Sequence, residues 1–273
     1  MIGALSRLFR PRLAVVNGVA AAGGYLLSPA LVDTVAVGGV MAGVTLLAAG
    51  GSALNQVLER DVDRLMVRTR SRPLPQGDLS PWNATLLGGG CVLAGFLVLL
   101  CSGGHLPALL GVAALAWYLC IYTPLKRRTP VALPMGALCG SVPPVIGWSV
   151  AGGDPFDFRI ILLAGLLYLW QIPHFWLFQR RHADEYRGAG IPLFNVGHTE
   201  SSPFGFFRLW LVALVAVAML LPAFGIIGPR VSVWYALAPV LLVIMSGFRA
   251  ESTLFPYLNL FPLLVTLLIF IQK

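Results

Sequence analysis

Apolar residues in this chain come in long unbroken runs separated by short polar stretches. A run such as Ala84–Cys101 has no every-second-residue alternation of the kind a half-buried strand requires. Its length approaches the roughly 20 residues that a helix needs to cross the hydrocarbon of a bilayer. Inside a bilayer the backbone must satisfy its own donors and acceptors, which leaves helices or a closed barrel, and the missing alternation selects helices. The pattern predicts nine membrane-spanning helices near residues 13–31, 35–55, 82–102, 106–125, 131–151, 159–178, 206–227, 231–249 and 253–271. With no low-complexity segment to divide them, they read as one continuous domain, 1–273.

Composition sharpens that picture. The 273 residues are 58% apolar and only 11% charged, against about 25% charged in ordinary soluble chains. The net charge of +8 would suit a nucleic-acid binder, but the cations sit in short loops between apolar runs, as the positive-inside rule expects of a membrane protein. Placing the N-terminus in the cytoplasm puts all but three of the 19 basic residues on that side. The exceptions are Arg159, Arg230 and Lys273. Nine spans then put the C-terminus outside. Arg7, Arg10 and Arg12 precede the first apolar run, which has no convincing cleavage site and reads as a span instead of a signal peptide. Cys91, Cys101, Cys120 and Cys139 are scattered through apolar runs without metal-ligand spacing and read as small packing residues.

Almost all candidate chemistry falls in three stretches on the predicted inner face. The first, residues 55–74, crowds three acids and five arginines into an otherwise apolar chain. On a regular helix Asn55, Glu59 and Asp63 share one face, about 6 Å apart along the axis. Their hard oxygens suit Mg²⁺, while Asp61 points to the other side. The arginines that follow, notably Arg68 and Arg72, suit phosphate oxygens. The stretch reads as a diphosphate site built from metal and arginine, although a charged loop between spans is commonly only a solvated one.

The second stretch places Tyr118, Tyr122 and Lys126 along one helical face that Pro124 can bend, with Arg127 next to Lys126. Either this is the ordinary aromatic belt with a snorkelling lysine, or the phenols and cations contact phosphate. The third runs from Trp170 to Pro192. Gln171 and His174 lie within a span, where polar groups are costly and are functional candidates by default; a packed, hydrogen-bonded histidine is the alternative. Asp184 and Glu185 either supply carboxylates for a second metal ion or pair with Arg180, Arg181 or Arg187. Buried polar groups also mark transporters, but there they gather at the bilayer midplane, whereas these acids collect at one edge. A nucleotide-binding loop, a zinc-protease motif and a nucleophile elbow are all absent from the sequence.

The run Asn55-x3-Glu59-Arg60-Asp61-x-Asp63-x2-Met66-x-Arg68-Thr69-x2-Arg72-Pro73-Leu74 resembles the first motif of the UbiA-type intramembrane prenyltransferases, in particular their protoheme IX farnesyltransferase (haem O synthase) branch. Tyr122-Thr-Pro-Leu-Lys126-Arg127-Arg128-Thr129-Pro130, Pro143-Pro144-x-Ile146-Gly147-Trp148, Trp170-Gln171-x-Pro173-His174-Phe175-Trp176 and Tyr186-Arg187-x-Ala189-Gly190-Ile191-Pro192 are similar to the same branch in the same order. The resemblance implies a helical bundle with a central cavity open to the cytoplasm, in a bacterial inner membrane. It implies transfer of a farnesyl group from farnesyl diphosphate to the 2-vinyl group of haem b, with Mg²⁺ as cofactor and a haem A synthase or terminal oxidase downstream. By the same resemblance Asn55, Glu59, Asp63, Arg72 and Lys126 act in ionising the diphosphate. Asp61, Arg68, Tyr118, Tyr122, Arg127, Gln171, His174, Asp184 and Tyr186 contact substrates, with His174 near haem iron, a propionate or the reacting vinyl. Related enzymes that prenylate a quinone precursor or chlorophyllide are the nearest alternative. The sequence departs from the wider superfamily at Gln56 and Glu59, where acids of its N-D-x2-D-x3-D pattern stand. The second acidic motif, D-x3-D, has Arg180 four residues before Asp184, and Ala132 replaces the Asn usual in haem O synthases.

Overall fold

The computed structural model describes residues 2–194, 203–247 and 251–272, and among these the chain forms helices and no strands. Arg249 and Lys273, both part of the charge asymmetry above, lie outside the described residues. A short amphipathic helix α1 (Ile2–Phe9) leads into α2 (Pro11–Leu27) and α3 (Thr34–Leu58). Two brief helices, α4 (Arg60–Leu65) and α5 (Pro73–Gln76), shape the polar stretch before α6 (Pro81–Gly103). Next come α7 (His105–Ala116), a π-helical segment (Trp117–Tyr122) and the single turn α8 (Thr123–Leu125). The chain continues through α9 (Ala132–Val150), α10 (Phe158–Arg181), α11 (Ala183–Gly188), α12 (Pro203–Ala223), α13 (Pro229–Gly247) and α14 (Glu251–Ile271).

Every predicted apolar run thus overlaps a helix. Among the described residues, six stretches have the length and apolarity to cross a membrane: Thr34–Leu58, Pro81–Gly103, His105–Leu125, Ala132–Val150, Phe158–Arg181 and Thr253–Ile271. The apolar stretches Phe207–Ala223 and Pro229–Met245 lie within α12 and α13. Large apolar side chains such as Leu93, Leu109, Ile161, Val240 and Leu267 face outward, as expected of helices whose surroundings are lipid.

Close backbone approach holds the bundle where side chains are small. α2 crosses α9 at Gly24 and Gly147. A Cβ on Gly147 would overlap the Ala21 carbonyl, and one on Gly24 would overlap Pro144. Packing so tight is the membrane alternative to hydrophobic burial, which offers little between helices already in lipid.

Two local departures from regular helix shape the working end. The predicted continuous helix through Asn55 and Asp63 is interrupted at Glu59, where φ −109° and ψ 12° separate α3 from α4. The π-helical segment lies immediately before Pro124. A wider turn there accommodates a residue that lacks an N–H and would crowd the preceding turn. It still leaves Tyr118 and Tyr122 stacked, with centroids 5.8 Å apart.

Candidate active site

At the polar end, α4, the turn after it, the ends of α8 and α10, and α11 surround a cavity. Its walls carry Glu59, Asp63, Arg68, Arg72, Lys126 and Tyr186 together with the apolar Val62, Met66, Leu133 and Ile191. Acids and bases far apart in sequence meet here because α3 and α8 end side by side.

Glu59 is the hub. Its Oε2 accepts from Lys126 Nζ at 2.6 Å and from Asn55 Nδ2 at 2.8 Å. Its Oε1 is buried and has no hydrogen-bond partner. Asn55 in turn accepts from Thr123 Oγ1 at 2.8 Å. Asp63 takes the Arg72 guanidinium at 2.7 and 2.9 Å, and its backbone carbonyl accepts from Thr69 Oγ1 at 3.0 Å, which fixes the turn. Burial pushes the Asp63 carboxyl above the usual carboxylate range, with Arg72 pulling the other way. Lys126 also lies over the Tyr122 ring, 5.6 Å from its centroid. Arg68 packs over Phe178, at 5.0 Å.

The site residues expected from the sequence divide accordingly. Glu59, Asp63, Arg68, Arg72, Tyr122, Lys126 and Tyr186 share the cavity wall. Asn55 stands behind Glu59 with both ends of its amide engaged, donating to that carboxylate and accepting from Thr123. Tyr118 stacks on Tyr122 but does not line the cavity. Asp61 and Arg127 pair with each other on the outside, at 2.8 and 2.9 Å. Arg127 also donates to the Leu58 carbonyl at the end of α3, and its hydrogen bonds hold the Asp61 carboxyl below the usual range.

Most candidates of the third stretch lie off the cavity wall. Asp184 is fully exposed and pairs with Arg187 at 3.0 Å. Glu185 accepts from the Arg68 backbone N–H at 3.1 Å. Neither reaches Glu59 or Asp63, and among the described residues no three His, Cys, Asp or Glu side chains form a metal-binding group. Gln171 donates to the carbonyls of Ala137 and Leu167, tying α9 to α10 away from the cavity. His174 also lies apart from it, stacked between Trp170 at 5.0 Å and Phe255 at 5.3 Å, with Nδ1 buried and unpartnered. Sequence reasoning missed Thr69, Thr123 and Gln179. Gln179 lines the cavity while its Oε1 accepts from Phe194 N–H at 3.0 Å, and the only hint was a polar residue just beyond an apolar run.

This arrangement suits a multiply charged anion accompanied by a hard cation. A carboxylate oxygen left without a partner in a buried site is costly, and Glu59 Oε1 on the cavity wall fits a divalent ion with Asp63 nearby. Lys126, Arg72 and Arg68 place positive charge on the same cavity wall.

The wider resemblance is consistent with that chemistry. Residues 16–269 match the model of the UbiA prenyltransferase family. A Geobacter sulfurreducens protein named protoheme IX farnesyltransferase is 60% identical over 266 residues, covering 97% of each chain. One of the same name from Oleidesulfovibrio alaskensis is 36% identical over 276 residues, covering 100% of this chain and 97% of its own. Among solved structures, one from work on digeranylgeranylglyceryl phosphate synthase superposes with a TM-score of 0.80 at 16% identity, covering 99% of this chain and 97% of that one. A UbiA homologue from Archaeoglobus fulgidus bound to GPP and Mg²⁺ gives 0.72 at 14% identity, with 98% of both chains covered. Fold, apolar helices and sequence agree: this integral membrane protein belongs to the UbiA prenyltransferase family.

Proposed function

We propose that the protein transfers the farnesyl group of farnesyl diphosphate to the 2-vinyl group of haem b, giving haem O and diphosphate. The observation that carries this reading is the carboxylate–cation cluster on one cavity wall, in a chain 60% identical to a named protoheme IX farnesyltransferase. Under this reading all nine apolar helices span a bacterial inner membrane, the N-terminus and the cavity face the cytoplasm, and the C-terminus lies outside.

The difficult step is breaking the allylic C–O bond, since diphosphate leaves only when its charge is neutralised. Lys126, Arg72 and Arg68 receive the phosphate oxygens, and stabilisation concentrates where charge develops. Glu59 and Asp63 would hold Mg²⁺, which when bound supplies further neutralisation of the leaving group. Lys126 is well placed to exchange Glu59 for an incoming phosphate. The apolar Val62, Met66, Leu133 and Ile191 keep bulk water from the allylic cation. The vinyl carbon of haem then attacks that cation, and water adds to the adjacent carbon with loss of a proton. In this reading His174 contacts the haem. Incubating purified protein with haem b and farnesyl diphosphate, with and without Mg²⁺, tests the proposal. A product carrying the mass of the hydroxyethylfarnesyl group is expected. Its absence from wild-type protein, or undiminished turnover in both Asp63→Asn and Arg72→Ala, refutes it.

A further inference from the structure

The N-terminal helix α1 was expected only to contribute topogenic charge, yet it is built into the working end. Leu8 is completely buried and clusters with Ala53 of α3, Leu74 of α5 and Ala84 of α6. Gln56, itself buried, donates to the carbonyls of Arg7 at 3.1 Å and Leu8 at 2.7 Å. These are helix-end carbonyls with no partner inside so short a helix, and Gln56 stands where the wider superfamily carries an acid. Arg7 reaches in the other direction. Its guanidinium donates to the Ser71 carbonyl at 2.7 Å and to Asp78 at 3.0 Å, spanning the turn that holds Arg72. Immediately after α1, Arg10 has φ 48°, the only positive value on a described residue other than glycine. Such a conformation persists only where surrounding contacts impose it.

We propose that α1 is a positioning strap. Arg7, locked in place by Gln56, fixes the segment Ser71–Arg72 and thereby sets how well Arg72 meets an anion in the cavity. Arg7 touches neither the cavity nor Asp63, so it acts through Arg72. The inference rests on the reading that Arg72 binds diphosphate.

The test uses inorganic diphosphate with Mg²⁺ as the probe, titrated into full-length protein in detergent. Arg7→Ala weakens binding about fivefold, and Arg7→Lys, which retains charge but not the two-pronged grip, falls between. Arg72→Ala weakens it more, and Arg7→Ala adds nothing in that background, because residues acting through one another are not additive. Asp78→Asn gives the sharpest contrast. It makes the site more positive, so a role for Arg7 as a bystander charge predicts tighter binding. The strap predicts binding about threefold weaker, because the grip on the turn is lost. Tighter binding in Asp78→Asn, or additive losses in the Arg7–Arg72 pair, overturns the inference. Should Arg7→Ala fail to fold, Arg7→Lys and Asp78→Asn carry the test. Wild-type protein that binds no diphosphate sinks both strap and functional reading. Binding without haem farnesylation sinks only the latter.

Discussion

Lys126→Met is the most informative single change at the site. The ammonium is the closest partner of Glu59, at 2.6 Å, and the Glu59 side chain is only 4% exposed. Removing the charge while keeping the apolar stem leaves a buried carboxylate with the Asn55 amide alone. Breaking a fully buried pair costs about 3–5 kcal/mol. The Lys126 side chain is 24% exposed, and solvent screening trims the expected loss to about 2–3 kcal/mol. On the proposed function turnover suffers separately, because one of the donors assigned to the leaving group is gone. By comparison with the loss of one preorganised donor, kcat falls about 100- to 1,000-fold. Thermal unfolding in detergent and steady-state farnesylation measure the two effects. The double variant Glu59→Gln/Lys126→Met separates them. It regains most of the stability, since no unpaired charge is left behind, but none of the activity. Turnover within threefold of wild type in Lys126→Met, or a double variant less stable than the single one, refutes the reasoning.

Other consequences are equally direct. Gly147→Ala places a methyl against the Ala21 carbonyl; a clash with backbone cannot be relieved by a rotamer change, so a loss of about 2–3 kcal/mol is expected in thermal unfolding. Asp157 caps α10 through the Arg159 N–H, and Asp157→Ala lowers stability by about 1 kcal/mol. Hydrogen bonding from the Arg159 side chain holds this carboxyl down to about 2. Its stabilisation is therefore complete above the ordinary carboxylate pKa and is lost as pH falls through about 2, so melting points of variant and wild type differ equally from pH 6 to 8 and converge only in strong acid. Chelating Mg²⁺ abolishes diphosphate binding, and Glu59→Gln raises the Mg²⁺ concentration required about tenfold or more. Asp184→Ala leaves that concentration dependence unaltered, and a shift there would restore a second acidic ligand set.

The helices were legible because a membrane span must be long, apolar and internally hydrogen-bonded, which leaves little latitude in Pro81–Gly103 or Phe158–Arg181. The first polar stretch was legible for a related reason: Glu59 and Asp63 are too costly in such surroundings without a purpose. What escaped detection depends on pairings across the chain. Periodicity assigned Asn55 a ligand role but gave no sign that its oxygen accepts from Thr123. Asp61 and Arg127, 66 positions apart, each looked available to substrate because neither betrays the other in sequence. The interruption at Glu59 rests on a single backbone conformation. Helix α1 was overlooked because its Arg7 satisfied a topogenic rule before its contacts were known.

Glu59 and Asp63 have a bearing on the protein between turnovers. A vacant receptacle for pyrophosphate would otherwise confine several cations with nothing to balance them, straining the bundle or recruiting whatever salt was nearby. On the function proposed above, the two acids are resident placeholders that Lys126 and Arg72 clasp until cargo arrives and clasp again once it departs. On that proposal, discharge of the spent leaving group is helped from within, and the protein is spared the grip on its own by-product that an unbalanced pocket would exert.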